Sequence, residues 1–365
     1  MWTFLRRSIP VALVVMLLWV PFVAASGQPA SALGALWAAA TPGFPAASAS
    51  RLHRAAPQRV TGAVWSATAD GAKAEVLVLL RDQADLAPFT HGAVQDRGRR
   101  VVQALQQTAA TSQASLRAWL EAREVPYRVF YIVNALLVEA DEGLLRALAR
   151  RPEVAQIMAN PQVAMALPPN EPVPQPLSMA WVDAIEWGVA KIGTPEVWAL
   201  GYRGQGVVVA GQDTGYDWEH PALQRQYRGW NGAVASHDYN WHDAIHSGGG
   251  ICGPDSPMPC DDNGHGTHTM GTIVGDDGAD RQIGVAPEAR WIGCRNMSQG
   301  VGTPATYAEC FEFFLAPYPV GATSAEGDPD RAPDVINNSW SCPPYEGCDA
   351  ENIAFLEAVV ENVRA

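Results

Sequence analysis

Two short runs carry groups that could move a proton together. Asp213 closes the apolar run Val207-Val208-Val209-Ala210-Gly211-Gln212 and opens Asp213-Thr214-Gly215. His265 stands between glycines in Asp262-Asn263-Gly264-His265-Gly266-Thr267-His268. An imidazole exchanges a proton near neutral pH, and an anion on one ring nitrogen fixes its tautomer and stabilises the imidazolium that forms. Asp213 can supply that anion if the fold brings the two together. Each motif also has an ordinary reading: strands often finish in Asp-x-Gly turns. Histidines at a helix start can be core or capping residues, which suits His268 better than His265. A metal shared by His265, His268 and aspartates is a third reading, weakened because H-G-T-H lacks the Glu of the H-E-x-x-H zinc motif.

Both motifs need elements to position them. Residues 207–212 form a buried strand, and a carboxylate at the carboxyl end of a parallel strand points into the crevice where such sheets place ligands. A helix is expected over 268–274, then a strand over 290–295, a helix over 305–314, a strand over 334–338 and a helix over 352–363. Alternating strands and helices predict an α/β fold with a doubly wound parallel sheet over 181–365. Ahead of it, residues 60–165 order themselves differently. A strand at 75–80 and a long helix over about 93–124, with Val101, Leu105, Leu116 and Leu120 apolar, lead to strands at 127–133 and 135–139. Asp141 caps a helix through Ala149, and 154–158 is a last strand. That order is the split βαβ layout of a small α+β ferredoxin-like domain. Between the two, LPPNEPVPQP sits in a linker over 166–180 that is too rich in proline for helix or sheet.

Composition bounds the partners. The 365 residues suffice for two domains, and a 48% apolar share is ordinary for globular protein. Up to Met165 there are 16 Lys+Arg against 11 Asp+Glu, and beyond it 9 against 27, so the halves carry +5 and −18. A basic front and an acidic back suggest bodies with complementary fields, and the acidic half lacks the clustered cations that nucleic acid requires. All six cysteines lie beyond residue 250. Cys252/Cys260 and Cys342/Cys348 each enclose a short Gly/Pro-rich loop and are expected to pair locally, which leaves Cys294 for Cys310 among the ~15 connectivities six cysteines allow. No C-x-x-C favours zinc. Arg6 and Arg7 precede the apolar run 11–23 and a small-residue cleavage site, so 1–25 is a signal peptide pattern and the expected localisation is secreted. Nothing further along is apolar enough to span a bilayer, and no membrane partner is expected after signal cleavage. Residues 26–59, rich in Ala, Pro, Ser and Gly, are a flexible spacer.

Taken together, VVVAGQDTGYDWEHPAL, NGHGTHTMGTIVG, GVAPEARWIGCRNM and DVINNSW resemble the subtilases, the subtilisin-like serine peptidases, in wording closest to the bacillopeptidase F type. The likeness runs from about Trp187 onward. It implies a doubly wound catalytic domain, peptide-bond hydrolysis through an acyl-enzyme, and a protein or peptide substrate. In it Asp213 would orient and balance His265, and His265 would be general base and then general acid. Ser339, Trp340 and Ser341 would line the primary specificity pocket, with Gly300, Val301 and Gly302 as the opposite edge, so that a peptide binds as an added strand. Residues 60–165 are similar to the family's inhibitory propeptide in layout and position. That segment would be an intramolecular inhibitor whose tail covers the groove until the chain is cut between about Ala166 and Ala190.

The pattern also departs from the family. A Ser in a G-T-S-M-A context and an Asn for the oxyanion hole do not occur in these 365 residues, and both are expected downstream. The chain as given is then expected to be inactive. A competing expectation is a dead fragment that acts through its propeptide as inhibitor or chaperone. Gly321-Ala322-Thr323-Ser324-Ala325 imitates the Ser motif but precedes the substrate strand instead of following it. No cofactor is implied with certainty. A structural calcium often uses an Asp after the His-Pro that follows the Asp motif, where this chain has Ala222, and Asp276, Asp277 and Asp280 form a solvated acidic loop or, less favoured, another calcium site.

Overall fold

The run AEVLVLL makes β1 (Ala74–Leu80), whose five apolar residues from Val76 to Leu80 are buried on both faces and so take the centre of a sheet. A computed structural model describes residues 59–89, 94–165, 185–279 and 281–365. The expected signal peptide, the spacer up to residue 58, the linker over 166–180 and Asp280 lie outside them. Within 59–165 the elements are α1 (Gly62–Ala67), β1, α2 (Val94–Glu121), β2 (Tyr127–Phe130), β3 (Ala135–Ala140), α3 (Glu142–Leu148) and β4 (Val154–Ala159). They form an antiparallel sheet in the order β2-β3-β1-β4, the arrangement the split βαβ pattern implies. Asp141 caps α3 by accepting the Leu144 N–H at 2.8 Å.

Alternation along β1 divides the front core. Val76, Val78 and Leu80 join Leu116, Leu120, Leu145 and Ile157 on one face. Leu77 and Leu79 belong to a second cluster that continues through Leu137 and Met158 into Tyr307, Phe311, Phe355 and Val359. A single apolar layer therefore joins the front sheet to two helices of the back half, α7 (Pro304–Leu315) and α8 (Ala350–Arg364).

The back half begins with α4 (Trp187–Lys191) and α5 (Thr194–Ala199) and is built on a parallel sheet in the order β11-β6-β8-β7. Its strands are β6 (Val208–Asp213), β7 (Trp241–Asp243), β8 (Arg290–Arg295) and β11 (Val335–Asn338). Between β7 and β8 lies α6 (His265–Val274). A third small sheet joins β5 (Val163–Ala164) to β10 (Val301–Gly302), which also pairs with β9 (Met297–Ser298). All three expected cysteine pairs are present: Cys252–Cys260, Cys294–Cys310 and Cys342–Cys348. Several details differ from expectation. The three-residue edge strand β7 and the two-residue strands β5, β9 and β10 are too short to stand out by pattern, β2 ends at Phe130 instead of residue 133, and α6 starts three residues early, at His265.

Candidate active site

The early start of α6 is what aims the imidazole. Gly264 takes φ +90°, a left-handed conformation that costs glycine little, and so turns the chain straight into the helix. Asp261 holds that turn: its carboxylate accepts the N–H groups of Asn263, Gly264 and Thr267 and the Thr267 hydroxyl. Burial would raise the Asp261 pKa, but these donors win and hold it below the ordinary value. Asp261 was not singled out from sequence. Its signal is the acidic residue just ahead of Asn-Gly and a helix start, where Asx turns and caps form.

Asp213 ends β6, fully buried. Its Oδ1 lies 2.7 Å from Nδ1 of His265 and also accepts the Thr214 N–H at 2.7 Å, while Oδ2 accepts the Thr269 hydroxyl at 3.2 Å. Burial pushes the Asp213 carboxyl up, against the opposing pull of His265, Thr214 and Thr269. With Nδ1–H donated to a carboxylate, the free ring nitrogen, Nε2, is the one left to accept a proton. Two glycines permit the approach. A Cβ on Gly266 would meet the Gly215 carbonyl at 2.1 Å and the Asp213 Cβ at 3.1 Å. Gly215, at φ +105°, passes so close to the Cys260 carbonyl that a Cβ would lie 1.8 Å from it.

His268, one turn further on, is exposed and is neither a core residue nor joined to His265. No cluster of three or more His, Cys, Asp or Glu suited to a metal occurs among the described residues. Ala222 is buried, with its N–H on His220 Nδ1 and its carbonyl accepting the Asp276 N–H. The solvated-loop expectation fails for Asp276, which is buried and ion-paired to Arg225 at 2.6 Å, and holds for the exposed Asp277. Ser324 bonds through its side chain to Glu312 on α7, and no hydrogen bond joins it to His265.

Gly300, Val301 and Gly302 form one edge of a strip already filled by this chain's own backbone. Val163 and Ala164 pair antiparallel with Gly302 and Val301, and the Met165 N–H donates to the Gly300 carbonyl at 2.9 Å. Ser339, Trp340 and Ser341 follow β11. Trp340 stacks on Tyr307 with ring centroids 3.9 Å apart, Ser339 Oγ accepts from Asn337, and Ser341 Oγ donates to Glu346 at 2.7 Å. Gly347, in the Cys342–Cys348 loop, lies against the Gln162 carbonyl, so the segment ahead of Met165 reaches that loop as well as 300–302.

Residues 204–362 match the Subtilase family (Peptidase_S8). Bacillopeptidase F of Bacillus subtilis is 38% identical over 66% of the chain, covering 17% of that protein. The major intracellular serine protease of Bacillus subtilis is 38% identical over 30% of the chain and 29% of its own length. The chain thus spans less than a third of either relative. Among solved structures, the epidermin leader peptide processing serine protease of Staphylococcus aureus superposes with a TM-score of 0.51 at 12% identity, over 80% of this chain and 57% of that one, a likeness of fold.

Proposed function

We propose, for a chain whose residues 204–362 belong to the subtilase family, that the protein it serves is a secreted serine endopeptidase made as an inhibited precursor. The carrying observation is the 2.7 Å contact between Asp213 and His265, which leaves the second ring nitrogen free. In this reading His265 Nε2 takes the proton of a Ser hydroxyl as that oxygen attacks the peptide carbonyl, then returns it to the leaving amine. Asp213 stabilises the imidazolium in between. Water resolves the acyl-enzyme by the same route in reverse. This reading requires a Ser in the G-T-S-M-A context and an oxyanion Asn, and neither occurs in these 365 residues.

In this reading peptide substrate enters as a strand alongside 300–302, with 339–341 as the opposite wall, and residues 163–164 pair with 301–302 here. That pairing supports residues 60–165 as the intramolecular inhibitor, released by a cut after the β5 strand. In the described residues no helix is long and apolar enough to cross a membrane. The test is His265→Ala in the full-length protein: kcat/KM on a peptide substrate should fall by at least about a thousandfold with folding intact. Activity within tenfold of wild type would end the assignment.

A further inference from the structure

α7 carries two carboxylates, Glu309 and Glu312, three residues apart on a helix that is buried along its length except at the partly buried Glu309. Both face the front domain, and neither takes part in the chemistry above. Glu312 Oε2 accepts the N–H groups of Tyr131 and Ile132, in the connection between β2 and β3, at 2.6 and 2.9 Å. Glu309 is shared more widely. Its Oε2 binds the guanidinium of Arg128 on β2, and its Oε1 lies 2.8 Å from Nε2 of both His242 and His246. The other nitrogen of His246, Nδ1, is 2.6 Å from Asp255 Oδ1. A histidine with a carboxylate oxygen on each ring nitrogen carries a proton on both, because either bond needs a donor. His242 is held flat against Phe313, and its Nε2 also meets the Tyr318 hydroxyl at 3.3 Å.

The front domain contributes one charge to this cluster, Arg128, while the back domain contributes Glu309, the two histidines and Asp255. Arg128 holds one oxygen of Glu309 while the histidines hold the other, so a charged His246 faces the Arg128 guanidinium across one carboxylate. We propose that the second ring proton of His246 weakens the grip of the front domain by repelling Arg128 across Glu309. This regulation rests on the reading of residues 60–165 as an inhibitor, and it uses residues remote from Asp213 and His265 in role.

The energetics follow by linkage. Burial would raise the Glu309 pKa, but the bonds from His242 and His246 and the Arg128 charge hold it well below the usual carboxylate range, so Glu309 stays ionised and does not itself titrate. Burial pulls His246 down and Arg128 pushes it further down, yet Glu309 and Asp255 leave it raised above 6.5. When the front domain lifts away, the Arg128 charge goes with it and His246 holds its proton more tightly. The released state thus binds more protons than the docked one, and docking strengthens as pH rises through the window above 6.5, where His246 titrates. The other groups facing the cluster are Tyr131 and Tyr318, both raised by burial, and Glu312. Burial of Glu312 pushes it up to about 7, so its contribution runs the opposite way and must be removed to isolate the histidines.

The test therefore uses the intact chain in a Glu312→Gln background and reads hydrogen exchange of the Met165 amide, which donates across the interface, between pH 7 and 9 after correction for intrinsic rates. Protection should rise with pH, by at most about tenfold per unit for each proton linked. Adding His242→Gln and His246→Gln, which keep a donor for Glu309, should flatten that rise. Should the two glutamines disturb folding, the histidine resonances supply a second readout: Arg128→Gln should raise the titration midpoint of His246. Equal slopes with and without the histidines, or a His246 midpoint unmoved by Arg128→Gln, would overturn the proposal. Neither readout involves peptide hydrolysis, so a failure here is distinct from a failure of the peptidase assignment.

Discussion

Replacing Glu312 by Gln isolates a buried carboxylate whose effect on stability should grow as pH rises. The side chain is 3% exposed, and burial pushes its pKa from 4.5 up to about 7, even though the Tyr131 and Ile132 N–H groups and the Ser324 hydroxyl favour its ionised form. The native state therefore binds this proton more tightly than the unfolded chain. Its contribution is present in full below about 4.5 and is lost as pH rises through 7. At about 1.4 kcal/mol per tenfold change in proton affinity, wild type forfeits about 3 kcal/mol from this group between pH 4.5 and pH 8. Gln keeps an oxygen to accept both backbone donors and never ionises. Urea unfolding of the 365-residue chain should find the variant within about 1 kcal/mol of wild type at pH 5, and about 2 to 3 kcal/mol more stable at pH 8. Other titrating groups cancel in the difference between the two proteins. Parallel stability profiles from pH 5 to 8 would mean that Glu312 is ionised throughout, held by its three donors, and that burial does not dominate.

Asp243→Ala should cost about 3 to 5 kcal/mol, because it strips the bidentate partner from the fully buried Arg295, which also holds the Gly249 and Gly253 carbonyls. A thermal midpoint unchanged within error would contradict this account of the Cys252–Cys260 loop. Gly266→Ala sets a methyl 2.1 Å from the Gly215 carbonyl and must shift α6 away from β6. The low-field proton resonance of the Asp213–His265 hydrogen bond should disappear or move, and stability should drop by about 1 to 3 kcal/mol. An unmoved resonance would show that the site tolerates the strain.

The site pair was legible because each half sits in a local signal of its own. An apolar strand running into Asp213 marks the mouth of a parallel sheet, and glycines around His265 mark a place where backbone must come close. That the two meet across 52 residues follows from sheet geometry, because a strand end and the helix packed on that strand share one edge. The helix start at His265 was hidden because glycine reads as a breaker. Gly264 instead supplies the left-handed residue that begins the helix, and the cap is Asp261, displaced three residues upstream of it. Two disulfides were legible through their short Gly/Pro-rich loops, and Cys294–Cys310 followed only by elimination. β7 was not legible, since three residues of W-H-D carry no period.

The charge asymmetry was a true feature of the sequence, but it suggested the wrong physical emphasis for how the halves hold together. Opposite net charges imply attraction that salt should dissolve. The interface is instead one apolar layer from Leu77 and Leu79 to Phe311 and Phe355, with a few polar contacts set into it. Of the ion pairs across it, Arg99–Asp330 is exposed at both ends and adds little, whereas Arg128–Glu309 is largely shielded from solvent. A charge pair that is shielded depends on its immediate partners more than on ionic strength. The relevant variable for this interface is therefore what stands beside Glu309, Arg128 on one oxygen and two imidazoles on the other, and no sum of charges over either half contains that information.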